Sequence, residues 1–126
     1  MLSRGDSLPH FEVTTVAGGR VSYSTIWQHR PLALIVLPEP AAADAPNIKN
    51  LCARIGDFRA HDAECVVTTD AVPGVNAPAA VVADKWGEIA FAVQPALVSD
   101  LPGADSLLEW VEYLRMQCPE CEGEVR

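Results

Sequence analysis

The chain has 126 residues, 49% of them hydrophobic, and its 17 acidic residues against 9 lysines and arginines give a net charge of -8. That length suits one domain with a core of its own, and that apolar share argues against a disordered chain. The acidic surface repels phosphate backbones and anionic lipid, which argues against nucleic acid and membrane surfaces as partners.

Phe11-Glu12-Val13-Thr14 alternates apolar and polar, Val16 to Arg20 is a turn, and Val21-Ser22-Tyr23 alternates again. These residues predict a short N-terminal hairpin. Ser24 to Gln28 reads as one helical turn that folds Ile26 and Trp27 onto the core. Leu32 to Leu37 (LALIVL) is continuously apolar, so both its faces need cover, as at the centre of a sheet. Pro38 and Pro40 stop it, and Ala41 to Pro46 reads as a small-residue linker. Ile48, Leu51, Cys52, Ile55 and Phe58 fall on one face of a helix over 47–58. Cys65-Val66-Val67 is a short buried strand, and Pro73-Gly74 breaks the loop after it.

Ala77 to Phe91 (APAAVVADKWGEIAF) is a second hairpin. Ala79 to Val82 is a buried strand, Asp84-Lys85-Trp86-Gly87 is the turn, and Glu88 to Phe91 returns. The last helix is predicted to start at Asp105 or Ser106, with Ser106 and Glu109 at capping-box spacing. Leu107, Leu108, Val111 and Leu114 form its buried stripe, with Trp110 and Tyr113 beside it. The order hairpin, strand, helix, strand, hairpin, helix gives a mixed sheet with helices on its faces.

No run of about 18 apolar residues is present, so no bilayer-spanning helix is predicted. The stretch Met1 to Phe11 (MLSRGDSLPHF) lacks the apolar segment of a secretory signal. A cytoplasmic location is the expectation, with the four cysteines reduced. There is no phosphate loop and no dinucleotide fingerprint, so no cofactor is expected.

The element order and the residues at its joints resemble the thioredoxin fold, and within it the peroxiredoxin branch (the alkyl hydroperoxide reductase and thiol-specific antioxidant proteins). The matching pieces are Gly5-Asp6 with Leu8-Pro9 and Phe11, the Ala17-Gly18-Gly19 turn, LALIVL ending at Pro38, CVVTTD, and the Pro78 strand with Asp84 and Gly87. The resemblance implies a single thioredoxin-like α/β domain over 1–126, a mixed sheet flanked by helices with an N-terminal hairpin. It also implies that Pro78 heads the penultimate strand beside the family active site, with a cis peptide bond. Peroxiredoxins carry a proline, a threonine four residues on, and the peroxidatic cysteine three beyond that. Counted from Pro38 those places hold Ala42 and Ala45, and counted from Pro40 they hold Asp44 and Asn47. The family arginine before the penultimate strand is replaced by Val75, Asn76 and Ala77. Attack on a peroxide needs an activated thiolate, and neither register supplies a sulfur.

Cys65 on a strand and Cys52 on a helical stripe read as core residues. Cys118 and Cys121 differ. They stand three apart around Pro119 in the acidic tail 118–126, and they are the candidate redox pair. Three readings stay open for them: a dithiol for thiol–disulfide exchange, a half-site for zinc or iron, or a chance spacing. The pair follows a helix C-terminus and stands among Glu120, Glu122 and Glu124, so negative charge makes its thiols slow to ionise. A closed zinc site needs four ligands. The other two would come from a second chain in a homodimer or from a histidine among His10, His29 and His61, so no complete metal set is assigned. Function reads in two ways: a peroxiredoxin-like protein acting through the C-terminal dithiol, or a non-enzymatic scaffold that binds a metal or a protein partner.

Overall fold

The structure is a computed structural model and describes residues 1–116; Cys118, Cys121 and the acidic tail lie outside the described residues. Strands β1 (Glu12–Thr14) and β2 (Arg20–Ser22) form the N-terminal antiparallel hairpin. A 3-10 turn, Tyr23–Thr25, follows and carries Tyr23 into the core. The main sheet holds β3 (Leu32–Val36), β4 (Glu64–Thr68), β5 (Ala79–Ala83) and β6 (Ile89–Val93) in the order β4-β3-β5-β6. β3 pairs parallel with β4 and antiparallel with β5, and β5 pairs antiparallel with β6. The two interior strands, β3 and β5, are fully apolar, and every residue of both is buried.

Alternation along these strands separates two cores. Ala33, Ile35, Cys65, Val67, Ala80 and Val82 face one side. There they meet α1 (Pro46–Ala53), α2 (Ile55–Ala60) and α3 (Ala104–Met116) through Ile48, Leu51, Phe58, Leu107, Val111 and Leu114. Leu32, Leu34, Val36, Val66, Val81 and Ile89 face the other side, under Leu8, Phe11, Val13, Tyr23 and Ile26. The mixed sheet flanked by helices and the N-terminal hairpin are as expected. All three α-helices share one face, and the N-terminal 26 residues supply apolar side chains to the other.

The helix expected over 47–58 is two helices parted at Arg54, whose backbone (φ -108, ψ 14) leaves helical geometry. Its guanidinium bonds Asp57 at 2.9 Å and also Asp105 of α3, so the break tethers α2 to α3. The expected linker Ala41–Pro46 is largely a 3-10 turn, Pro40–Asp44, which buries Ala42, and Pro46 opens α1. Proline suits that first position because its missing N–H has no helical partner anyway. α3 begins at Ala104, earlier than predicted, so Ser106 lies inside the first turn rather than at the cap. In the second hairpin the turn chemistry is as expected. Asp84 Oδ1 accepts the Trp86 and Glu88 N–H groups at 2.8 and 3.0 Å, and Gly87 takes φ +87.

Candidate functional site

Three chain segments meet at one end of the sheet. Val36 at the end of β3 is paired with Thr68 at the end of β4 and with Ala79 at the start of β5. The Leu37 N–H extends the parallel ladder by donating to the Thr68 carbonyl at 2.8 Å. This brings together Pro38–Pro40, Thr69–Asp70 and Ala77–Pro78. The Ala77–Pro78 peptide is cis, and Pro78 heads β5 as the resemblance implies.

Polar groups at this end are engaged with one another. The Thr68 hydroxyl donates to the Thr14 carbonyl at 2.8 Å and accepts the Asp70 N–H at 3.0 Å. Asp70 Oδ2 accepts the Thr14 N–H at 2.7 Å and lies 3.9 Å from Arg20, which also pairs with Glu12 at 3.2 Å. These bonds fasten the N-terminal hairpin to the end of β4. At the start of α1, Ala45 is the cap, Ala42 is buried, and the Asn47 amide donates to the Val98 carbonyl at 2.9 Å. The residues 38–47 contain no cysteine.

Both described thiols belong to the core. Cys65 is 4% exposed on β4, opposite Ala33. Burial, then the nearby Cys52 and Glu64, push its thiol from 9.0 up to about 12. Cys52, half-buried near the end of α1, is also pushed up by burial. Thiols held protonated in this way are inert at neutral pH.

The candidate redox pair, Cys118 and Cys121, lies outside the described residues. The helix that leads to it does not. α3 ends at Met116, beside an open cleft of about 660 Å³ lined in part by His61, Glu112, Tyr113 and Met116. His61 Nδ1 is 2.8 Å from the Asp57 carbonyl oxygen, and its Nε2 is 3.6 Å from Glu112 Oε2. Arg115 Nε is 3.8 Å from the same oxygen. Among the described residues no group of three or more His, Cys, Asp or Glu is arranged to hold a metal ion. Glu112 carries no motif in sequence. It becomes visible only when α2 and α3 are packed together.

Aromatic residues line the rest of the surface of interest. Trp110 stacks on Phe91 at 5.2 Å and meets Tyr113 edge-on at 6.0 Å. At the far end of the sheet, Tyr23 stacks on Phe11 at 5.3 Å, and His10 lies edge-on to Trp27 at 5.0 Å. The Tyr23 hydroxyl is buried without a hydrogen-bond partner among the described residues. Burial, and then the charge of Asp84, push this phenol up to about 12.

Known structures resemble this arrangement over nearly the whole chain. AhpC from Mycobacterium tuberculosis superposes with a TM-score of 0.69 at 14% identity, over 96% of this chain and 98% of that one. The reduced 2-Cys peroxiredoxin of Plasmodium vivax gives 0.66 at 11% identity, over 92% and 83%. A peroxiredoxin-like protein from Aquifex aeolicus gives 0.61 at 15% identity, over 90% and 88%. The fold is thioredoxin-like. No protein-family model matches the sequence, and no curated protein matches it significantly. At these identities the likeness extends to the fold alone. Among the described residues no helix is long and apolar enough to cross a membrane.

Proposed function

We propose that this thioredoxin-like chain does not carry out peroxide reduction and acts instead as a thiol–disulfide exchange protein through Cys118 and Cys121. The observation that carries the reading is the start of α1. Ala42, Ala45, Asp44 and Asn47 occupy both registers of the peroxiredoxin motif, and none has a sulfur. Cys52 and Cys65 do not replace it, since both are held protonated by burial. That leaves Cys118 and Cys121 as the other two of the four cysteines in the sequence.

In the exchange reaction one thiolate of the pair attacks a sulfur of a partner's disulfide. A mixed disulfide forms and one partner thiolate leaves. The second thiol of the pair, after losing its proton, attacks the mixed disulfide and releases the other partner thiol. The chain gives up two electrons and two protons, and the partner is reduced by the same amount. The acidic surroundings of the pair make this slow at neutral pH and faster as pH rises. The protein partner is of the disulfide-bearing class.

Equilibration in glutathione buffers of graded ratio, followed by thiol alkylation and intact mass, tests the reading. The expected result is a reversible internal disulfide lost in Cys118→Ser and Cys121→Ser and kept in Cys52→Ser. Hydrogen peroxide consumption by the reduced chain should not exceed the buffer blank. The reading fails if no disulfide forms at any glutathione ratio, or if peroxide is consumed and Cys52→Ser abolishes it.

A further inference from the structure

We infer that the cleft between the N-terminal turn and α3 binds a free aromatic α-amino acid. Arg4 takes its carboxylate, Glu109 takes its ammonium group, and Trp110 and Tyr113 pack against its ring. The site uses none of the cysteines and does not rest on the exchange reading.

The cleft measures about 370 Å³ and is lined by Arg4, Glu109, Trp110 and Tyr113. Clefts that hold small molecules measure roughly 300–1,000 Å³. Its aromatic wall is braced from the sheet. Trp110 stacks on Phe91 of β6 at 5.2 Å, with 27° between the rings. Tyr113, one turn further along α3, meets Trp110 edge-on at 6.0 Å and 88°. The two rings thus form a right-angled corner. A third ring placed there meets one of them face-on and the other edge-on, the two arrangements that aromatic rings prefer. Tyr113 is left 52% exposed at this corner.

The cation is carried on an anchored backbone. Ser3 to Asp6 is a tight turn, in which the Asp6 N–H donates to the Ser3 carbonyl at 3.0 Å and Gly5 takes φ +93. On either side of Arg4, the Leu2 N–H donates to the Gly74 carbonyl and the Gly5 N–H to the Ile89 carbonyl, both at 2.8 Å. Arg4 is therefore fixed along its main chain while its side chain is exposed.

Every other arginine among the described residues is paired with a carboxylate. Arg4 and Glu109 line one cleft, yet among the described residues neither is paired with the other or with any other group. Both charges are open to a ligand. A guanidinium presents a planar fork that matches a carboxylate, and a carboxylate accepts from an ammonium. A phosphate-bearing ligand would bring two negative charges beside Glu109 on a chain of net charge -8. A bare amine would face Arg4. A zwitterion of no net charge satisfies both groups, and the aromatic corner selects a flat side chain.

The test uses the full chain labelled with heavy nitrogen, with L-phenylalanine as the probe. The indole N–H signals of the three tryptophans are followed by NMR, with Trp110 assigned from Trp110→Phe. Calorimetry supplies the affinity. The expected result is a saturable shift of the Trp110 signal, with Trp27 and Trp86 unmoved. Phenethylamine and 3-phenylpropanoate, which each lack one charge, should bind about tenfold more weakly or worse. Arg4→Gln and Glu109→Gln should each weaken phenylalanine binding by about tenfold or more. Glu112→Gln, outside this cleft, should bind as the parent does. Circular dichroism of each variant confirms that it is folded. No saturation up to the solubility of the probe overturns the site. So does parental affinity in Arg4→Gln or Glu109→Gln, or a shift at Trp27 or Trp86 in place of Trp110. Equal affinity for phenethylamine and phenylalanine overturns the ligand class.

Discussion

Replacing Cys65 with alanine tests the claim that the described cysteines are core residues. The Cys65 thiol is 4% exposed and is raised from 9.0 to about 12 in the folded chain. Above pH 9 the unfolded chain releases this proton and the folded chain retains it. Stability from this group is therefore complete below pH 9, falls as pH rises, and is gone above about pH 12. The slope is about 1.4 kcal/mol per pH unit, or about 4 kcal/mol over the whole interval. Cys65→Ala removes the titration and leaves a small void, worth roughly 1 kcal/mol at neutral pH. The variant should be the less stable protein at pH 7.5 and the more stable one at pH 11, with the two curves crossing near pH 10. Urea unfolding at half-unit pH steps, with the parent and Cys65→Ala in parallel, measures this. A stability difference that stays flat from pH 8 to 11 would refute the reasoning. So would alkylation of Cys65 in the native chain at pH 8 as fast as in urea.

Tyr23→Phe removes a buried hydroxyl with no partner among the described residues; it should leave stability unchanged or raise it by about 1 kcal/mol at pH 7, as read from the urea midpoint. It should also remove the part of the alkaline destabilisation that sets in as pH rises from 10 towards 12, since the folded phenol is raised to about 12. Asp84→Ala leaves the Trp86 and Glu88 N–H groups without their shared acceptor; a loss of about 1–2 kcal/mol is expected in the same assay. Leu107→Ala, at a fully buried position between α3 and the sheet, should cost about 2–5 kcal/mol. A smaller loss there would mean that α3 is not packed as described.

The strands were legible because they are short apolar runs bounded by Pro, Gly and Asp. LALIVL had to be interior, and it is; Asp84 and Gly87 had to turn the second hairpin, and they do. The helix over 47–58 was misread as continuous because the apolar period runs through Arg54 without a fault. At the break Arg54 pairs with Asp105, 51 positions away, and no local pattern carries that contact. The early start of α3 was hidden by the capping-box spacing of Ser106 and Glu109, which also occurs inside a first turn. The thioredoxin-like fold followed from the order of joints rather than from any one motif. The His61–Glu112 pair was invisible for the same reason as the Arg54 break, since it joins residues from two helices that meet only after folding. The part played by Tyr23 was missed because a lone tyrosine after a strand gives no sign of which face it will occupy.

The first thirty residues have a peculiar dependency. Leu2 is bonded to Gly74, Gly5 and Asp6 to Ile89, Leu8 to Gly87, and Val16 to Val67. Every one of those partners is synthesised at least fifty positions later. The opening segment therefore bonds to partners far along the chain, and its own paired strands are only three residues each. Its bonds to Gly74, Gly87, Ile89 and Val67 require the central strands and their turns to be in place, and its side chains cover the second surface of those strands. A truncation at this end strips the cover from one whole face of the sheet rather than trimming an ornamental lead-in.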